Sequence, residues 1–199
     1  VLKRARYPKG KRTLQAILDA TYDLIISEGL AAASQEAIAR RANVTQSAVR
    51  HYFPTKEELL HAFFSAGMER LQHLLAEKIA AIGDDPRTQF LESVALHYDR
   101  MLEVEDLYFF EAVAYWGRNP GLRDTRDRWY QALGRYYAGL LGAIHPDWDE
   151  EHCVITAYQV MTLVLGGWVT LGSSRPFHKR RPRKSLKEML LAGIERLID

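Results

Sequence analysis

Between Ser34 and Pro54 the chain reads SQEAIARRANVTQSAVRHYFP. Two helical stretches of about two turns each fit there, separated by Asn43 and Val44. Helices that short do not hold themselves in water. The chain must therefore bury Ile38, Ala39, Ala42, Val44, Ala48 and Val49 against something else. The preceding segment, Thr13 to Glu28, offers it: Leu14, Ile17, Leu18, Thr21, Leu24 and Ile25 fall on one helical face. A compact three-helix unit follows, ordered as helix, short helix, tight turn, short helix. Thr13 is expected to cap its first helix, with Gly29 closing it in the left-handed conformation. Ser34 and Thr45 are placed to cap the two short helices, and Asn43 is a residue that tolerates positive φ in the turn. Pro54 disfavours helix at Phe53. Thr55 and Glu58 then have capping-box spacing for a restart.

The rest of the 199 residues also reads as helix, with no alternating strand pattern and no Asn-Gly hairpin signal. The expected fold class is all-α, an N-terminal helix-turn-helix unit joined by a long fourth helix to a larger helical domain. That fourth helix spans Thr55 to about Ile82. Further helices are expected over about 87–104, 106–118, a long one after Asn119-Pro120-Gly121 to 144, 150–172 and 186–198. The domain division is placed at residues 1–56 and 57–199.

Charge follows the same division. Residues 1–56 carry ten Lys/Arg against four Asp/Glu, a net +6, although the whole chain is only +2. A basic end suits a polyanion through phosphate neutralisation; the other reading is a solvated tail. A single cysteine, Cys153, excludes an intrachain disulfide and fits a reducing, cytoplasmic setting. It opens an apolar helix, which suits a buried structural thiol better than a nucleophile. The uncharged run from Cys153 to Gly172 is long enough to cross a bilayer. Its threonines, Gln159 and paired glycines argue instead for a helix buried on both sides. No His-Glu-x-x-His, phosphate loop or Gly-x-Ser-x-Gly elbow is present. No enzyme, metal site or cofactor is expected.

In the second short helix Ala48, Val49 and Tyr52 share one side. Gln46, Ser47 and Arg50 lie opposite, with His51 at the edge. Gln pairs with adenine edges, Arg with guanine edges, and Ser or Thr with bases or phosphate. A helix-turn-helix sets its second helix in the major groove. The restart at Thr55-Lys56 adds a positive helix end and a lysine for phosphate, and Ser34 opens another such end. The plainer reading is a solvated polar face.

Taken together, EGLAAASQEAIARRANVTQSAVRHYFPTKEELL resembles the DNA-binding segment of the tetracycline-repressor (TetR) family of bacterial transcription regulators. Gly29, Ser34, Ile38-Ala39, Val44-Thr45, Tyr52-Phe53 and Lys56-Glu57-Glu58-Leu59 match the family's pattern over about residues 12–64. Asn43 replaces a usual Gly, Ala33 a Thr, Ser47 a Gly, Val49 a Leu and Arg50 a Tyr. The resemblance implies DNA contact by Ser34, Thr45, Gln46, Ser47, His51, Tyr52 and Lys56. Arg50 is added on its own chemistry, as a phosphate or base contact. Lys3, Arg4, Arg6, Lys9, Lys11 and Arg12 are placed to reach adjacent phosphates or the minor groove, against the alternative of a solubilising tail.

The resemblance further implies a homodimer whose C-terminal helices enclose a small effector that releases a repressor from a palindromic operator. Aromatic residues are dense there, which suits an apolar or flat ligand. Phe64, Met68, Tyr98, Met101, Phe110, Trp116, Trp129, Leu133, Tyr137, Tyr158 and Met161 are the candidate lining, with plain core packing as the alternative. The apolar stripe of the last helix, with the helix before it, suits a four-helix dimer interface. The basic segment 175–184 reads as a solvated loop. The competing functions are an effector-independent DNA-binding protein and a helical small-molecule-binding protein without an operator.

Overall fold

The computed structural model describes residues 7–103, 106–170 and 182–199. The described residues are helical throughout, without strand. In chain order the helices are α1 (Pro8–Glu28), α2 (Gln35–Arg41), α3 (Gln46–Tyr52), α4 (Lys56–Ala80) and α5 (Pro86–Glu103). They continue with α6 (Asp106–Arg118), α7 (Pro120–Ile144), α8 (Glu150–Thr170) and α9 (Arg183–Leu197). A 3₁₀ turn, Leu30–Ala32, links α1 to α2.

Most of the local punctuation works as expected. The Ser34 hydroxyl accepts from Ala37 N–H at 3.1 Å, Thr45 from Ala48 N–H at 3.1 Å and Thr55 from Glu58 N–H at 3.1 Å. Asn43 holds φ 53°, the left-handed turn between the two short helices. Three details differ. Thr13 caps nothing: Pro8 sits in the first helical turn, where a missing N–H costs least, so α1 starts five residues early. The Thr13 hydroxyl donates back to Lys9 O at 3.1 Å. Gly29 has the positive φ expected, 83°, but ψ is 167°, extended rather than left-handed helical. Pro120 and Gly121 do not break the chain for long, because Pro120 begins α7.

The described residues form two compact units that divide the chain at 71/72, 106/107 and 123/124, the middle segment 107–123 belonging with the first. The first therefore reaches past the cut expected after Lys56 and takes in most of α6. Its core joins Leu14, Ile17, Leu24, Ile38, Val49 and Phe53 to Leu59, Phe63 and Phe64 of α4 and Ala112 and Trp116 of α6. Tyr108 lies over Tyr22, Phe63 and Phe64, at centroid distances of 5.2, 6.0 and 6.1 Å. Gly67 leaves it room, since a Cβ there would meet the Tyr108 hydroxyl at 2.5 Å. Glu111 accepts a hydrogen bond from Leu30 N–H at 3.2 Å, fastening α6 to the 3₁₀ turn.

The second unit packs Phe90, Val94, Tyr98 and Met101 of α5 on Tyr137 and Leu141 of α7, on Cys153, Ala157, Val160 and Val164 of α8, and on Ile194 and Ile198. The chain end is tied in by Arg87 to Asp199 at 2.5 Å and by His145 Nε2 donating to Ile198 O at 2.7 Å. Cys153 is buried, and burial pushes its thiol pKa up, as suits a structural thiol. Among the described residues no helix is long and apolar enough to cross a membrane.

Candidate functional site

The candidate interface is built on α2 and α3. Ile38 and Ala39 of α2 and Val49 of α3 are buried, and so is Phe53 directly after α3. Gln35 at the start of α2 donates to Phe53 O at 2.6 Å, fixing where α3 ends. With its inner side held, α3 turns Ser47, Arg50 and His51 fully outward, and Gln46 and Tyr52 partly so. Thr45 is exposed, but one lone pair serves the cap, and its hydroxyl lies 2.9 Å from that of Ser47. The two hydroxyls form a small linked pair at the start of the helix. His51 sits edge-on to Tyr52 at 5.1 Å.

Ser34 is exposed at the head of α2, its hydroxyl engaged in the cap bond. Lys56 opens α4, with its ammonium 3.4 Å from Ala31 O, so the charge is held beside the 3₁₀ turn. Other cations are partly used up. Arg40 pairs with Glu36, and Arg41 with Glu28 at 3.0 Å. Lys9, Lys11 and Arg12 are exposed on the first turns of α1, not in an unstructured tail. Lys3, Arg4 and Arg6 lie outside the described residues. So do residues 175–181 of the basic segment.

The proposed ligand lining divides between the two units. Phe64, Met68 and Trp116 are buried in the first, and Phe110 lies there beside Phe109 at 5.5 Å. Tyr98, Met101 and Tyr137 are buried in the second, with Leu133 and Met161 packed against them. Trp129 joins this group, its ring 6.5 Å from that of His97. Tyr158 stands apart at 70% exposure on the outer side of α8, so it does not line the interior of the second unit.

His97 was not legible as a site residue. Its Nδ1 lies 2.8 Å from Ser93 O and 3.1 Å from the Tyr137 hydroxyl. Ser93, itself buried, lies 3.0 Å hydroxyl to hydroxyl from Tyr136. Burial holds the imidazole pKa below its ordinary value, and pushes Tyr98 up to about 12. A histidine inside an apolar helix stripe carries no spacing signal. The clue available was Ser93 one turn before it, opposite a Tyr-Tyr pair on another helix.

Residues 17–63 match the family model for bacterial regulatory proteins of the tetR family. Over 85 residues the chain is 33% identical to the HTH-type transcriptional regulator BetI of Stenotrophomonas maltophilia (strain R551-3). That alignment covers 43% of each chain, so the match spans less than half the length of this relative. The fold as a whole is similar to a transcriptional regulator from Rhodococcus sp. Rha1, with TM-score 0.65 and 20% identity over 93% of this chain and 95% of that one. It is also similar to a TetR transcription regulator from Haloarcula marismortui ATCC 43049, with TM-score 0.66 and 18% identity over 94% and 96% of the two chains. At that identity the likeness is one of fold.

Proposed function

By its N-terminal domain the chain is a member of the tetR family of bacterial regulatory proteins, and from that premise we propose that it is a dimeric repressor that reads a palindromic operator and is released by a small apolar or aromatic ligand. The observation that carries the reading is the split character of α3, anchored by a buried Val49 and offering Ser47, Arg50 and His51 outward. In this reading Gln46, Ser47 and Arg50 meet base edges in the major groove, with His51 at the rim. Ser34, Thr45, Tyr52 and Lys56 meet phosphates. Lys9, Lys11 and Arg12 add unspecific attraction along the backbone.

The dimer is proposed to form through α8 and α9. The outer side of α8 exposes Val154, Ile155, Tyr158, Leu163 and Val169, and Met189 of α9 is 56% exposed. An apolar, uncharged face of this kind suits a second copy. Two copies would hold their reading helices roughly 34–36 Å apart, one turn of DNA. The effector is proposed to select a conformation with a different spacing, which lowers operator affinity by population shift. Cytoplasmic action follows from a DNA target.

Selection from random duplexes at about 150 mM salt, a concentration chosen because phosphate contacts are salt-dependent, tests the reading. An enriched palindrome is expected. Weak binding that salt removes, with no enriched sequence, would sink the operator function.

A further inference from the structure

Within the second unit, α5 leaves polar atoms buried without a partner. His97 is the informative one. Its Nδ1 is 2.8 Å from Ser93 O, and a carbonyl oxygen only accepts, so Nδ1 carries the proton. The ring is kept neutral by burial, which leaves Nε2 as a bare lone pair. That Nε2 is buried and has no hydrogen-bond partner among the described residues, and neither has the buried hydroxyl of Tyr98. Buried polar atoms are normally paired, and exceptions point to something that completes them. The two groups differ in kind: Nε2 can only accept, while the Tyr98 hydroxyl has a proton to give, and as consecutive residues of one helix they point in different directions.

The surroundings are aromatic and adaptable. The Trp129 and Tyr137 rings lie 6.5 and 6.2 Å from the His97 ring. Met101 lies against Gly167 so closely that a Cβ there would meet its Sδ at 2.9 Å and Tyr98 at 3.2 Å. A thioether in such a place reshapes easily around an apolar group. The two charges that follow in sequence are already paired. Arg100 reaches Glu103 at 3.3 Å, and Asp99 pairs with Lys187. The Nε of Arg100, also buried and unpartnered, is a further donor for an oxygen.

We propose that the second unit binds a neutral hydroxylated ligand, a phenol or alcohol on an apolar frame, whose O–H donates to His97 Nε2. This rests on the effector reading above and specifies the effector's class. A hydrocarbon of the same shape leaves His97 Nε2 unpaired. A carboxylate sets an acceptor against the lone pair of His97, and the nearby Arg100 charge is already paired with Glu103.

The test titrates the full chain calorimetrically with naphthol, naphthalene and naphthoate at neutral pH. Naphthol is expected to bind at least about tenfold more tightly than either analogue, the usual penalty for leaving a buried polar group unpaired. His97→Phe is expected to erase that preference, and Tyr98→Phe to leave it. A preference for naphthoate, equal binding of naphthol and naphthalene, or no binding of any probe overturns the proposal. If His97→Phe does not fold, nitrogen-15 histidine shifts in the unaltered protein decide. A proton on Nδ1 and a perturbed Nε2 on adding naphthol are expected; a proton on Nε2 overturns the proposal. The duplex selection above separates the two failures. A palindrome without hydroxyl preference removes only the ligand class, and hydroxyl preference without a palindrome removes only the operator.

Discussion

Helices α3 and α8 are both unfinished on their outer sides, in opposite ways. The seven-residue α3 buries Val49 and turns Ser47, Arg50 and His51 to solvent. The 21-residue α8 buries Cys153, Thr156, Ala157, Val160 and Val164 and turns Val154, Ile155, Tyr158, Leu163 and Val169 outward. Water already solvates the first face well, so a partner there would have to compete by offering charge and donor–acceptor geometry. Water solvates the second face poorly, so a partner there would need only to be apolar and complementary in shape. The lesson is that exposure alone does not mark an interface; what the exposed groups would exchange water for does.

The sharpest way to break this comparison is to make the outer side of α8 resemble that of α3. Ile155→Glu with Leu163→Glu is expected to yield a folded monomer by sedimentation. Operator affinity should fall by about a hundredfold or more, as the gain from joining two binding modules is lost. A dimer that survives would remove α8 from the interface. On α3, Arg50→Ala is expected to cost about 1–3 kcal/mol on the selected operator and relax preference at one base position. Lys56→Ala should weaken every sequence alike and flatten the salt slope by about one phosphate's worth. Identical affinities and slopes in both variants would refute the assignment of these contacts.

A smaller effect concerns how α3 is held. Thr45→Ala removes the cap on Ala48 N–H and is expected to cost about 1 kcal/mol in thermal or urea unfolding. The last prediction concerns pH. Unfolded His97 takes up a proton near its ordinary value of about 6.5, whereas the buried ring does so only at lower pH. Stability is thus complete above that value and declines as pH falls below it, because the unfolded state then binds the extra proton. Urea midpoints across that window should lose part of this slope in His97→Phe.

The division between the two helices also explains what the sequence disclosed. Caps and turns are local, so Ser34, Asn43, Thr45 and Thr55 could be assigned from short-range chemistry, and the end of α6 was bounded correctly at Arg118. The start of α1 was misplaced because Thr13 competes as a cap in principle but bonds back to Lys9 in the folded helix. Which of several similar aromatics turn inward is decided by tertiary packing. Hence Tyr98 and Tyr137 are buried while Tyr158 is exposed, although all three sit at helical spacing. His97 depends on Ser93 and Tyr137 together, the latter 40 residues away, and no periodicity displays that.

The bond from Gln35 to Phe53 O closes α2 and α3 into one block whose support is separate from its outward side chains. Val49, Phe53 and the cap hold the block, while Gln46, Ser47 and Arg50 contribute little to holding it. The outward residues are therefore free to drift. A lineage carrying this scaffold can acquire new target sequences by changing two or three side chains without passing through unfolded intermediates, and a laboratory can rewrite them in the same way.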